Sequence, residues 1–196
     1  GVQEIIPIVY RGVMYLVVPK AVVQALDATN GDLLWEYRRT LPEDLSDFIS
    51  SAGRARTVAI YEDLIFYSAP DGYVVALDAR TGELRWEARV QDYTTGTQHT
   101  TGPIVVEGKV ITGRSCPNER CFIAANDART GQELWRFYTT PGPDEPGGDT
   151  WGDLPVEKRI TSPWGLPGSY DPVRNLVYWG TANPKPHTRT KRHGEN

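Results

Sequence analysis

The stretch ALDARTGELRWEA, residues 76–88, has a near-copy upstream, ALDATNGDLLWEY (25–37), and another downstream, ANDARTGQELWRF (125–137). Aligned on Asp27, Asp78 and Asp127, the copies lie 51 and 49 residues apart, and Trp35, Trp86 and Trp135 keep the same offsets. Recurrence at about 50 residues marks a repeat architecture, and the local pattern within the period decides which one. That pattern is extended chain. GVMYLVV (12–18), DLIFYSA (63–69), GKVITG (108–113) and NLVYWGT (175–181) are β-branched and aromatic runs of strand length, with almost no helical periodicity. A second strand follows each of the first three, in VVQALDA, YVVALDA and CFIAAND. A turn, TNG or RTG, then leads into a third strand carrying the Trp.

The Asp-x-x-x-Gly spacing is turn chemistry, because Asp can bond its own backbone and Gly accepts positive φ. Segments such as TGPIVV supply a fourth strand. Four antiparallel strands per period read as a β-propeller blade, an all-β fold. One small twisted sheet cannot bury both faces alone. Stacked copies cover one another, so the turn and the aromatic that lock neighbouring blades recur. The expected repeats run over about 5–40, 57–90 and 101–140, with the start of a fourth over 160–183 and a loop or flexible end over 184–196. These are three to four blades, read as an arc of a larger ring.

The totals set the outer bounds. A formal charge of −4, with no basic block except RTKRH near the end, gives no reason to expect a nucleic-acid partner. No apolar run approaches the length of a transmembrane helix. The chain opens GVQEII, without Met or signal peptide, as expected of a chain whose leader was removed or of an excised piece. Cys116 and Cys121 in RSCPNERC are too far apart for a redox C-x-x-C pair, and no second pair completes a zinc site. A loop disulfide, which implies an oxidising compartment, stands against two reduced thiols. The Pro/Gly-rich stretch 139–155 is expected to loop over one mouth of the ring, with Trp151 as lid or packing anchor.

The repeat ALDA-x-TG-x-x-x-W and the segments between copies resemble the pyrroloquinoline quinone (PQQ)-dependent alcohol dehydrogenases, a family with an eight-bladed propeller and tryptophan-docking repeats. The resemblance spans essentially the whole chain. QEIIPIVYRGVMY resembles the strand whose Glu touches the quinone, which falls on Glu4. GRARTVAIY resembles the segment whose Arg lies beside the cofactor, which falls on Arg56. HTTGPIVVEGKVITG matches the strands that place a hydroxyl near a PQQ carboxylate, at Thr100, and Ser115 lies at a quinone-contacting position. In ITSPWGLPGSYDPVRNLVYWGTANP, Trp164 corresponds to the indole under the quinone ring, with Ser162 two residues before it. Asn183 there corresponds to a metal ligand. The pattern departs twice. Ser50-Ser51 stands where many members carry adjacent cysteines, and the loop that should hold a metal-ligand Glu is about two residues shorter, leaving Glu119 as the available acid.

The resemblance implies a periplasmic enzyme that oxidises an alcohol or polyol by hydride transfer to PQQ, with Ca²⁺ or a lanthanide polarising the quinone. A cytochrome c or a quinone would accept the electrons. The residue types suit such a group. A flat aromatic ring stacks on Trp, anionic carboxylates take Arg and hydroxyl donors, and a hard cation takes oxygen ligands. The family's catalytic Asp is expected beyond Asn196, so these residues alone are expected to be inactive. The competing reading is a non-catalytic propeller scaffold of the outer-membrane assembly lipoprotein type.

Overall fold

The computed structural model describes residues 3–50, 55–99, 101–163 and 165–186. Three antiparallel sheets stand in chain order. The first joins β2 (Ile8–Tyr10), β3 (Val13–Val18), β4 (Val22–Asp27) and β5 (Leu33–Arg38), each paired to the next. The second joins β7 (Ala59–Tyr61), β8 (Leu64–Ser68), β9 (Tyr73–Asp78) and β10 (Leu84–Arg89) in the same way. The third runs β12 (Ile104–Val106), β13 (Lys109–Ser115), β14 (Phe122–Asp127) and β15 (Glu133–Tyr138), and adds β11 (Gln98–His99), which also pairs with β13. A further pair, β16 (Ser169–Asp171) and β17 (Leu176–Tyr178), begins another sheet. Two more strands, β1 (Gln3–Ile6) and β6 (Ala55–Thr57), pair in parallel across the first two sheets. The helix α1 (Leu45–Phe48) is a single turn.

Strand alternation explains why the repeats stack. In the second sheet Ile65, Tyr67, Val75 and Leu77 pack toward the first, against Tyr15, Val17, Val23 and Ala25. Leu64, Phe66, Val74 and Ala76 point the other way, against Val110, Phe122 and Ala124 of the third sheet. Both faces of this sheet are covered, so β8 is buried at every position and reads as a continuous apolar run rather than an alternating one. The third sheet continues the stack: Ile111 and Ala125 pack with Tyr170 and Trp179 of the next segment. The last strand of each sheet, β5, β10 and β15, is an edge, and none of its residues is buried.

The repeated phrase forms the lock between blades. Asp27, Asp78 and Asp127 each accept backbone N–H groups two or three residues on, and Gly31, Gly82 and Gly131 adopt φ between +75° and +84°. The indole of Trp35 reaches into the next blade and donates to Ala79 O at 3.0 Å. Trp86 donates to Ala128 O at 2.9 Å. Each ring lies flat on the following turn: a Cβ on Gly82 would fall 2.5 Å from Trp35 Cε3, and one on Gly131 2.7 Å from Trp86 Cε3. The turn therefore needs glycine twice, for its φ and for the ring above it. Gly31 has no such ring over it, and Trp135 is 41% exposed.

Candidate functional site

The residues singled out from the sequence come from four separate stretches, and sheet pairing brings several of these stretches together. The strand of Glu4 runs alongside that of Arg56, in the register Gln3↔Ala55 and Ile6↔Thr57, and the Thr57 hydroxyl donates to Ile6 O at 2.9 Å. The Arg56 guanidinium reaches Gly165, one residue past Trp164: a Cβ on Gly165 would lie 3.2 Å from both Nη1 and Nη2. Gly102 packs so tightly on the Thr57 methyl that any side chain there would collide with it. A cavity of about 420 Å³ opens among Ile5, Ile6, Arg56, Gly102, Gly165 and Leu166. Among the described residues that line it the walls are mostly apolar and Arg56 is the charged group, its guanidinium pKa lowered by burial.

A second group joins the third sheet to the 160–183 segment. Ser115 Oγ and Ser162 Oγ are 2.7 Å apart, a hydroxyl pair. Ala182 N donates to Ser162 O at 2.8 Å, and Pro163 pairs with Thr181, so the backbone just before Asn183 runs beside the segment that leads into Trp164. The sulfurs of Cys116 and Cys121 are bonded, both fully buried, and Cys121 Sγ lies 3.9 Å from Ser162 Oγ. Thr139 and Thr140 tie this loop to Thr161 through hydroxyl bonds of 2.6 and 2.9 Å.

Thr100 and Trp164 lie outside the described residues, as do Ser51 and His187–Asn196, and the Glu4 side chain is not described. Asn183 and Glu119 are both exposed. Among the described residues no three His, Cys, Asp or Glu side chains gather as a metal cluster. In the 139–155 stretch, Trp151 is 2% exposed, with the Arg159 guanidinium 5.7 Å from its ring, so it is a packing anchor there. A second cavity, about 560 Å³, lies beside this stretch and is lined by Phe137, Tyr138, Thr150 and Trp151.

Reading the sequence missed His99 and Arg114. They face each other across the β11–β13 ladder and are buried. Burial, followed by the charges of Arg114 and Arg56, pushes the His99 pKa down to about 3, so this imidazole is neutral at ordinary pH. Burial, and then Arg136, brings the Arg114 pKa down to about 9. No periodic signal marked them: β13 is buried without a break from Val110 to Arg114, so the strand does not alternate.

Comparison with known proteins assigns the family. The profile of the PQQ β-propeller domain of glucose/ethanol/alcohol dehydrogenases matches residues 2–196. The chain belongs to this PQQ-propeller family. The quinohemoprotein alcohol dehydrogenase ADH-IIG of Pseudomonas putida is 36% identical over 98% of the chain and 29% of its own length. The solved structure of the enzyme ADHIIG from P. putida HK5 superposes with a TM-score of 0.85 at 34% identity, covering 97% of this PQQ-propeller chain and 31% of that one. A europium-containing methanol dehydrogenase gives 0.83 at 28% identity, over 97% and 37%. BamB from Moraxella catarrhalis, at 17% identity and a TM-score of 0.60 over 92% and 46%, shares the fold alone. The chain spans 27–35% of the length of the curated relatives ADH-IIG, PedH of P. putida and the dehydrogenase subunit of Gluconobacter oxydans. These comparisons support the all-β propeller reading and the family resemblance drawn from the repeat.

Proposed function

We propose that residues 1–196 supply one side of the PQQ site of a periplasmic alcohol or polyol dehydrogenase. The observation that carries this is the cavity among β1, Arg56, Gly102 and Gly165 in a chain of the PQQ-propeller family. Its chemistry fits the group. The described walls are mostly apolar, Arg56 is among them, and glycine occupies the two places where a Cβ would press on the Arg56 guanidinium or collide with Thr57. When bound, PQQ supplies the hydride acceptor, which no side chain can.

The roles of this chain's own residues follow from their chemistry. Arg56 holds a carboxylate of the cofactor and fixes its orientation. Glu4 and Thr100 are proposed to add polar contacts to it. Ser115 and Ser162 act as a coupled hydroxyl pair, in which the one that accepts from the other keeps its own proton to donate. Trp164 gives the flat group a stacking floor. Asn183 and Glu119 are the proposed oxygen ligands for a hard cation, Ca²⁺ or a lanthanide, an ion that would act as a Lewis acid. The europium-containing neighbour and the quinohemoprotein relatives support a metal and a cytochrome-type acceptor. The 196-residue chain by itself is proposed to be inactive.

The test uses the full-length protein and the absorbance of bound PQQ with and without a chelator. Binding that requires Ca²⁺ or a lanthanide and is lost in Trp164→Ala supports the reading. Metal-independent binding, or binding untouched by that substitution, overturns it.

A further inference from the structure

The β13–β14 ladder ends at the pair Arg114↔Phe122, one residue short of Ser115. Ser115 pairs on its other side, with Gln98 of β11. Beyond the last pair, the Cys116–Cys121 bridge joins the two strand ends, closed over the segment PNER (117–120). That segment is exposed or half-buried, whereas both cysteines are fully buried. The bridge is turned inward, toward the residues that lead into Trp164: Cys121 Sγ lies 3.9 Å from Ser162 Oγ.

Thr161 and Ser162 are held from the third blade by residues that adjoin the bridge. Ser115, whose Oγ is 2.7 Å from Ser162 Oγ, immediately precedes Cys116. Thr139 and Thr140 bond Thr161, and both are fastened to the backbone of Cys121. Thr139 N donates to Cys121 O at 2.8 Å, and Cys121 N donates to Thr140 Oγ1 at 3.3 Å. From Ser162 the contacts pass to the next stretch of chain. Ser162 O accepts from Ala182 N at 2.8 Å, and Ile160 and Lys185 exchange backbone bonds of 3.1 and 2.8 Å. The bridge thus stands at the root of the contacts that lay 160–163 beside 181–185. A cross-link at the strand ends removes their freedom to separate, and a binding group is only as well placed as the residues behind it.

We infer that the Cys116–Cys121 bridge is a positioning element of the cofactor site: it fixes Ser115 and Cys121 against Ser162, and so sets the place of the segments leading to Trp164 and Asn183. The inference rests on the PQQ reading of that site. The bridge stays oxidised in this role, and no redox step is assigned to it.

The test compares the full-length protein with its Cys116→Ala/Cys121→Ala variant in two readings. Hydrogen–deuterium exchange of the peptide 181–185, followed by mass spectrometry, needs no cofactor. The Ala182 and Lys185 amides bond Ser162 O and Ile160 O, so their exchange should quicken about tenfold in the variant. PQQ affinity should fall about tenfold, the low end for loss of a group that orients a binding residue. Gly82→Ala disturbs the Trp35 contact between the first two blades and serves as the control for a plain loss of stability; it should move neither reading. Unchanged exchange at 181–185 overturns the inference, as does faster exchange with unchanged PQQ affinity. Gly82→Ala moving both readings as far as the double variant would reduce the bridge to a general stabiliser and overturn it too. An unmodified protein that binds no PQQ overturns the reading of the site, and the bridge's role there with it. Should the double variant not fold, Thr140→Val keeps the bridge and removes the hydroxyl between Thr161 and Cys121. It should shift both readings in the same directions, and no shift in either would overturn the inference.

Discussion

Replacing Gly31, Gly82 and Gly131 by alanine, one at a time, separates the backbone demand of the repeated turn from its role as the seat of the neighbouring tryptophan. All three glycines have φ between +75° and +84°, so each alanine pays the same left-handed penalty, about 1 kcal/mol. At Gly31 the new methyl meets nothing within 4 Å, and the cost ends there. At Gly82 and Gly131 it would stand 2.5 and 2.7 Å from an indole carbon, where carbon–carbon contacts settle at about 3.5–4.0 Å. The ring must therefore retreat by roughly 1 Å. That retreat weakens the indole bonds to Ala79 O and Ala128 O, worth about 1 kcal/mol each, and loosens the packing of a large aromatic for about 1 kcal/mol more. The expected costs are about 1 kcal/mol for Gly31→Ala and about 3 kcal/mol for Gly82→Ala and Gly131→Ala. Equilibrium urea unfolding of the 196-residue chain, followed by circular dichroism, reads the difference. Three equal costs would refute the claim that the Trp-on-turn contact locks the blades.

Three other perturbations follow from buried groups. His99 holds its proton less tightly folded, at about 3, than unfolded, at about 6.5, so its contribution is full above pH 6.5 and is lost as pH falls toward 3. Stability should therefore fall by about 2 kcal/mol between pH 7 and pH 5 through this residue, and His99→Gln should remove that share of the slope in urea titrations. Arg39 and Asp71, with side chains 9% and 5% exposed, are bonded at 2.8 and 3.0 Å. Arg39→Met leaves a buried carboxylate alone and should cost about 3 kcal/mol, whereas the double variant Arg39→Met/Asp71→Leu should recover most of it. A double-mutant cycle with no coupling would contradict this. Reducing the Cys116–Cys121 bridge, or replacing both cysteines by serine, frees a short loop and should cost about 2 kcal/mol, read as a shift of the urea midpoint at constant slope.

The architecture was legible because it is written three times. Asp27, Asp78 and Asp127 announce the turns, and the equal Trp offsets imply that the aromatic answers a partner one period away. The partner itself was hidden, since nothing in TNG or RTG says that a ring from the preceding blade lies on its glycine. The site was legible mainly through resemblance. Arg56 could be named from GRARTV, but its approach to Gly165 depends on a contact across more than a hundred residues. No local pattern encodes such a contact. Arg114 was passed over for a physical reason: a charge one residue from a strand end is usually a solvated one, and only the tertiary stack, by covering that face, turns it into a buried cation.

The end of β13 shows how one rule serves two sites. Successive side chains on a strand face opposite ways. Ser115 faces the 160–183 segment and meets Ser162 at 2.7 Å. Arg114, one residue earlier, stands opposite its ladder partner His99, and both are buried. Two adjacent residues thus address two compartments without any irregularity in the backbone. The same geometry ties the compartments together, because a one-residue slip of β13 against β14 would exchange them. Guanidinium would then stand where the hydroxyl pair forms, and a serine would take the buried place beside His99. The register Gly113↔Ile123 and Arg114↔Phe122 therefore fixes the hydroxyl pair as well as the packing. The disulfide that begins at the residue after Ser115 and ends at the residue before Phe122 closes the connection between the two strands and resists that slip.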